Sequence, residues 1–301
     1  MMILIENIVS KKLVYKKMCA NIFSKLFIYV VLISLAYLLL YPLFYMIVTV
    51  FRSAEDLNNP AVVWITRTYT LDNIKKAVEQ LDFGNSFPFS LSLALPCAIF
   101  QTIACALAGY GFARFNFKGK SILFAVLILT IIVPEQTILI PLYGMIQSLG
   151  LLNSVVAFWV QAILGMGLKS GLFIFIFCQF YKGLPKELES AAMLDGCNSF
   201  GIFAKIILPN VIPAIITVFF FSFVWHWNEN YLTKFVLNQE RTLSYLVSNA
   251  TALISNTGSN VKIAQAIIQS CSLILLLPTL ILFFILQRHL REGIARSGIV
   301  G

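Results

Sequence analysis

Charge is scarce in this chain. Only 12% of its 301 residues are Asp, Glu, Lys or Arg, where an ordinary soluble domain carries about 25%. So few charges cannot clothe a water-facing surface. Histidine is also scarce, with His226 and His289 far apart in sequence. The six cysteines, Cys19, Cys97, Cys105, Cys178, Cys197 and Cys271, form no C-x-x-C pair. They read as small hydrophobes rather than disulfides or metal ligands, and no Cys/His cluster offers a metal site. No Ser/His/Asp set is readable. The nearest approach to a phosphate loop, Lys118-Gly119-Lys120-Ser121, lacks the first glycine that such a loop needs. An enzyme, a resident metal and an ATP site on this chain are all disfavoured, and no cofactor is expected.

Apolar sequence is abundant, at 59% of the chain. It falls into six runs, at residues 26–51, 87–113, 121–146, 154–180, 211–227 and 263–287. A bilayer leaves backbone groups no partner outside the segment, so each run is expected to cross as a helix. Pro42, Pro96, Pro134, Pro141 and Pro278 lie inside runs, where membrane helices accept them as kinks. The first run is too long for a signal-peptide core and no small-residue cleavage site follows it, so it reads as an uncleaved helix. The expected fold is an all-α integral membrane protein of about six transmembrane helices, with no internal repeat.

The net charge of +9 has to be located before it is interpreted. Basic residues gather before the first run (Lys11, Lys12, Lys16, Lys17, Lys25) and after the second (Arg114, Lys118, Lys120). They recur at 181–210 (Lys182, Lys186, Lys205) and beyond the last run (Arg288, Arg291, Arg296). The opposite side carries fewer: Arg52, Arg67, Lys75, Lys76, Lys234, Arg241 and Lys262. The positive-inside rule then places both termini and the 181–210 loop in the cytoplasm of a plasma-membrane, multi-pass protein. The expected organisation is a basic cytoplasmic arm at 1–25, a membrane domain at 26–287 and a cytoplasmic tail at 288–301. The charge is a topology signal, and a nucleic-acid partner is not expected.

The segment from Gly183 to Pro213 reads as two short helices. Pro185 suits a first helical position, and Glu187 and Glu189 complement the positive end of the dipole. Ala191 and Ala192 are small enough to let another surface approach. Gly196 can take the left-handed conformation that ends a helix. Asn198 or Ser199 can cap the next one, with Phe200, Phe203, Ile206 and Ile207 on its apolar side. Apolar helical surface facing water calls for a cover, although an amphipathic solvated loop has the same pattern.

Glu189-Ser190-Ala191-Ala192-Met193-Leu194-Asp195-Gly196, followed by Ile206-Ile207-Leu208-Pro209, resembles the Glu-Ala-Ala loop of ABC importer permeases. Asp195-Gly196 resembles the carbohydrate-uptake, MalG-like branch. The likeness extends along most of the chain. It includes Ala108-Gly109-Tyr110-Gly111-Phe112-Ala113-Arg114-Phe115, Val133-Pro134-Glu135-Gln136, Ile140-Pro141-Leu142-Tyr143, Trp227-Asn228-Glu229, Arg241-Thr242-Leu243 and Gln287-Arg288. Ser190 and Val300 depart from the family pattern, the latter where a tail lysine is usual.

The resemblance implies a type I importer permease fold and a cytoplasmic coupling helix that seats on an ATPase. It implies as partners a second homologous permease, two ABC ATPase subunits and an extracytoplasmic solute-binding protein. Carried over by position, the coupling residues are Glu187, Glu189, Ala191, Ala192, Asp195, Gly196, Leu208 and Pro209. A stand-alone secondary transporter or channel is the alternative, though inverted repeats are not evident.

Ionisable residues inside a span mark function by default. Lys169 falls about 15 residues into the fourth run, roughly 22 Å at 1.5 Å per residue, among Gly165, Gly167 and Gly171, which would allow close backbone approach or local unwinding. It is expected to face the passage or to form a structural pair, with Glu135 or with the second permease. Glu135 follows Pro134, which frees a backbone carbonyl. Glu135, Lys169 and Asn228 are the expected passage residues. Trp159, Trp225, Trp227 and Tyr231 could stack on sugar rings or belong to the interfacial belt. Segment 52–86, with Glu55, Asp56, Asp72 and Asp82, reads as a docking surface for the binding protein or as a solvated loop.

Overall fold

The computed structural model describes residues 2–237, 242–255 and 260–297, with side chains for 21–237, 242–250 and 260–290. Arg241, the 298–301 end of the tail, and the side chains of Cys19 and of the first four lysines lie outside the described residues. Helices dominate, in the order α1 (Met2–Val50), α2 (Ala54–Asn58), α3 (Asp72–Gln80), α4 (Phe83–Arg114), α5 (Lys120–Ile132), α6 (Leu139–Ser148), α7 (Val156–Ile163) and α8 (Ser170–Lys182). They continue with α9 (Glu187–Leu194), α10 (Ser199–Gly201), α11 (Leu208–Asn210), α12 (Ile212–Asn228), α13 (Tyr231–Val236), α14 (Leu243–Ser255) and α15 (Val261–Ser297). Among the described residues the extended pairing is one isolated bridge, Arg52 with Tyr69.

All six apolar runs are helical, but not all are single helices. Asn21–Val50 of α1, Phe83–Arg114 and Val261–Leu290 of α15 are unbroken and long enough to cross. The arm expected before the first run continues the same helix. The third run is not one straight helix. It bends by 102° between Lys120–Ile132 and Glu135–Ser148, because Val133 is extended ahead of Pro134 and the proline ring disfavours the helical region for the residue before it. The fourth run is interrupted between Ile163 and Ser170. Gly165 and Lys169 there take positive φ, 67° and 58°. Lys169 therefore stands at the start of α8, not 15 residues inside a helix. A non-glycine residue in the left-handed region is held there only by its surroundings.

Helix α4 is the axis of the bundle, packing on α7, α8 and α12. It contributes to all three buried clusters: Tyr110 with Phe177, Ile202 and Phe203, Ala94 and Ala98 with Trp227 and Leu243, and Leu93 and Cys97 with Phe158 and Ile146. Close approach depends on two glycines. A Cβ on Gly109 would fall 2.5 Å from Phe177 Cβ, and one on Gly171 would overlap Thr130 Oγ1. Such small contacts are what let membrane helices pack backbone to backbone.

The segment joining α1 to α4 is a folded cap rather than a solvated loop. Asp56 is buried. One of its carboxylate oxygens accepts from the Thr66 hydroxyl at 2.6 Å and from the amides of Arg67 and Thr68 at 2.7 and 3.0 Å. The Asn73 amide donates to the Val50 and Arg52 carbonyls. The Thr66 hydroxyl first, and then the Thr68 and Arg67 amides, hold the Asp56 carboxyl below its ordinary range.

Two tests follow from this packing. Gly109→Ala and Gly171→Ala are expected to lower the melting midpoint of the detergent-solubilised protein by an overpacking cost of about 1–3 kcal/mol each. Gly144→Ala, which meets nothing within 4 Å, leaves the midpoint unchanged or raises it. The cap is expected to stay closed at neutral pH and to open as pH falls below the ordinary carboxylate value, through the lowered pKa of Asp56. Limited proteolysis at 52–82 against pH reads this. In Asp56→Asn the acid-induced step disappears.

Candidate functional site

The two helix breaks face each other across a cavity of about 620 Å³. Its wall includes Glu135 and Gln136 from the α5–α6 bend, Gly165–Gly171 from the α7–α8 break, and Gln161, His226, Glu229 and Tyr231. Lys169 Nζ lies 3.2 Å from Glu135 Oε1, with both side chains about a third exposed. The sequence placed both residues at one passage, and the structure brings them together as an ion pair. It does not bring Asn228 there. That amide donates to the Val224 carbonyl of its own helix at 2.8 Å, on an exposed face. The neighbouring Glu229 and His226 take the wall position instead.

Behind the cavity lies a buried polar junction that sequence reasoning missed. Gln101, fully buried on α4, donates to the Leu168 carbonyl at 2.6 Å and to the Ser170 hydroxyl at 2.7 Å. Its Oε1 accepts from the Ser222 hydroxyl of α12. The Ser222 carbonyl lies 2.8 Å from His226 Nδ1. One amide thus ties three elements at the break and satisfies a carbonyl that the interrupted helix releases. The signal was a lone glutamine inside an apolar run.

Of the four candidate stacking aromatics, Tyr231 reaches the cavity wall. Trp227 is buried and donates to the Leu275 carbonyl of α15, Trp225 packs on the α4–α8 core, and Trp159 donates to the Ser92 carbonyl of α4. The Trp227-Asn228-Glu229 corner is held by further bonds. Glu229 accepts from the Leu232 amide at 2.6 Å and the Asn228 carbonyl accepts from the Ser244 hydroxyl.

At the far end of α4 the 183–210 segment forms two short helical pieces with a tight corner. Gly196, at φ 80°, ends α9. Its amide donates to the Met193 carbonyl, and the Cys197 amide donates to the Ala192 carbonyl, the paired bonds of a Schellman stop. Asn198 caps the next piece by accepting from the Gly201 amide at 2.7 Å. A π-helical turn, Ile202–Ile207, then leads to α11. Pro185 stands two residues before α9 rather than inside it.

The candidate coupling residues divide by face. Ala192 is buried against Tyr110, Ile202 and Phe203, and Leu208 packs against the same cluster. Glu189 turns inward to Arg114, with Nε to Oε1 at 2.5 Å. Glu187, Ala191, Asp195, Gly196 and Pro209 are exposed. So are Leu194 and Phe200, at 89% and 75%. Phe203 and Ile207 are buried as the periodicity predicts, but Phe200 points outward. It lies in the first turn after the Asn198 cap, before the helical face settles onto the core. Leu194 and Phe200 give this end an apolar outer surface.

Comparison with known proteins agrees with this arrangement. The family model described as "Binding-protein-dependent transport system inner membrane component" matches residues 101–296. The alpha-glucoside transport system permease protein AglG of Rhizobium meliloti is 33% identical over 77% of this chain, which spans 61% of that protein's length. The lactose transport system permease protein LacG of Rhizobium radiobacter is 30% identical over 89% of this chain and 94% of that one. The arabinooligosaccharides permease AraQ of Halalkalibacterium halodurans is 28% identical over 89% and 93%. A crystal structure of a bacterial ABC transporter involved in alginate import shares the fold, with a TM-score of 0.72 at 16% identity over 86% of this chain and 93% of that one.

Gln101→Leu is expected to leave the Leu168 carbonyl without its donor and to strip the Ser170 and Ser222 hydroxyls of their Gln101 partner. The stability loss should be about 1–2 kcal/mol, within the range of interhelical hydrogen bonds in membranes. Gln101→Glu and Gln101→Asn, compared by thermal melting in detergent, should fall between Leu and the parent protein.

Proposed function

This chain belongs to the family of binding-protein-dependent transport system inner membrane components, and from that premise we propose that its transporter imports a sugar or oligosaccharide. The chain is a membrane permease subunit and not an enzyme. It forms one half of the passage, facing a second, homologous permease. Two ATPase subunits supply the driving force and an extracytoplasmic binding protein delivers the solute. Family membership removes the stand-alone carrier that the sequence left as an alternative. Residues 26–287 form the membrane unit, and 1–25, 181–210 and 288–301 lie on the cytoplasmic side.

The observation that carries the choice of solute is the company the chain keeps. Permeases for α-glucosides, lactose and arabinooligosaccharides align with it over most of its length. The cavity is consistent with a neutral, hydroxyl-rich solute. Among the described residues that line it, Lys169 is the one lysine or arginine and is paired with Glu135, while Glu229 adds a carboxylate. Gln161, Tyr231 and the Lys169–Glu135 pair supply donors and acceptors that suit hydroxyls.

Coupling runs through the outer surface of 187–200. ATP-driven closure of the ATPase pair shifts this segment, and the bundle changes between outward and inward access as differential contacts favour one state or the other. The exposed residues Glu187, Ala191, Asp195 and Pro209, with Leu194 and Phe200, make the contact. Gly196 sets its shape, and Ala192 and Leu208 hold the segment to the bundle.

Two measurements test these readings. In proteoliposomes holding the complete transporter, ATP hydrolysis is expected to rise with binding protein plus a neutral di- or oligosaccharide. A rise with amino acids or inorganic phosphate alone sinks the sugar assignment. Lys169→Met and Glu135→Gln are each expected to cut uptake about tenfold, by leaving one charge unpaired in the cavity wall. The double variant should recover part of the loss, and equal uptake in all three would remove this pair from the passage.

A further inference from the structure

The ion pair at the inner end of α4 has a use beyond filling space. Arg114 is the last residue of α4 and Glu189 belongs to α9. Their charged atoms are 2.5 Å apart, with 6% and 13% of the side chains exposed. Arg114 Nη2 also donates to the Leu184 carbonyl at 2.9 Å, at the turn that leads into α9. The Tyr110 hydroxyl, one helical turn back on α4, reaches the other Glu189 oxygen at 3.5 Å. The Tyr110 ring packs on Phe203, beyond the Gly196 corner, with centroids 4.8 Å apart. Two successive turns of one membrane helix thus grip α9, the turn before it and the piece after it.

We infer that Arg114, Tyr110 and Glu189 form a positioning joint that fixes α9 to α4 and passes the movement of α9 into the helix that carries Gln101. This rests on the coupling reading of the 187–200 surface. It departs from treating Glu189 as a contact for the ATPase, because its carboxylate is committed within the chain and turned away from the exposed apolar face. The joint has directional stiffness. A charge pair this buried cannot exchange either partner for water cheaply, so a push on α9 displaces α4 before it separates the pair. From Arg114 to Gln101 is 13 residues of continuous helix, roughly 20 Å at 1.5 Å per residue. At the other end Gln101 holds Leu168 and Ser170, next to Lys169 at the cavity. A rigid helix with a specific polar joint at each end links the coupling surface to the passage wall.

The test uses the full transporter in proteoliposomes, with Arg114→Gln, Glu189→Gln and Arg114→Lys, and Leu194→Asp as the contact variant. Cys197 is exposed while Cys97, Cys105, Cys178 and Cys271 are buried, so a spin label on Cys197 in a Cys19→Ser background reports the order of the segment directly. Arg114→Gln and Glu189→Gln are expected to keep the ATPase bound, to loosen the label, and to lower solute transported per ATP about tenfold, a usual size for coupling between sites. Arg114→Lys keeps the charge and should recover most of that ratio, which a merely space-filling role would not do. Leu194→Asp should instead release the ATPase with the label unchanged. If Arg114→Gln folds poorly, Glu189→Gln and Arg114→Lys carry the comparison alone.

Loss of the ATPase from Glu189→Gln with no change in the label would overturn the joint, since Glu189 would then be a contact residue. So would an unchanged transport-to-ATP ratio in both glutamine variants. An intact chain that binds no ATPase, while the label still responds to Arg114→Gln, would sink the coupling reading itself and with it the transmission role.

Discussion

The structure depends on keeping polar backbone satisfied where helices are interrupted inside an apolar bundle. A break releases carbonyls and amides that water cannot reach, and each unmet group costs several kcal/mol in lipid. The α7–α8 break is tolerable because Gln101 takes the Leu168 carbonyl and the Ser170 hydroxyl on one side and Ser222 on the other. Gly167 lets that amide come close, since a Cβ there would lie 3.0 Å from Gln101 Nε2. The α5–α6 bend is handled more locally. The Thr137 amide and hydroxyl both donate to the Pro134 carbonyl. The cavity exists because two such breaks sit opposite one another, and it is polar because their residues are.

How much of this was legible in the sequence follows from the range of each interaction. Features fixed by a few neighbouring residues could be read. Gly196 ends α9 and Asn198 caps the next piece, both through contacts within six residues. The burial of Phe203 and Ile207 follows from helical period, which also holds locally. The runs themselves were visible because hydropathy is summed over a whole span. That same summing hides breaks. An apolar count gives the same total for one helix of 26 residues as for two at a right angle, so the third run looked continuous, and in the fourth only Gly165, Gly167 and Gly171 signalled the unwinding.

Other misses came from competition between partners. Asn228 looked like a passage residue by its place at the end of α12, but the carbonyl four residues back captured its amide. Glu229 and His226, passed over as motif and singleton, stand at the wall. Lys169 was read as intramembrane and so as functional, yet its left-handed backbone is set by tertiary packing and leaves no trace in composition. Arg114 was read as an orientation charge and as part of a motif, but not as a pair with Glu189, because its partner lies 75 residues away, beyond any local pattern. The folded cap at 52–82 was hidden in the same way, since Asp56 is satisfied by residues ten to twelve positions on.

The shared helix α4 limits how such a bundle can move. Its residues belong to all three buried clusters, and packed cores resist gradual deformation because small displacements already forfeit contact energy. A force applied at the 183–210 end cannot bend α4 through its middle without disturbing the Gln101 junction and the Gly109–Phe177 contact together. The less costly response keeps α4, α8 and α12 as one body and takes up the change where packing is thinnest. That place is the cavity side, where the α5–α6 bend touches the body through the close approach at Gly171 and the partly exposed Glu135–Lys169 pair. Motion of a rigid body against one bent segment is the hinge-and-shear behaviour expected of bistable interfaces. It places the moving boundary at the cavity wall, not in the helices that carry the load.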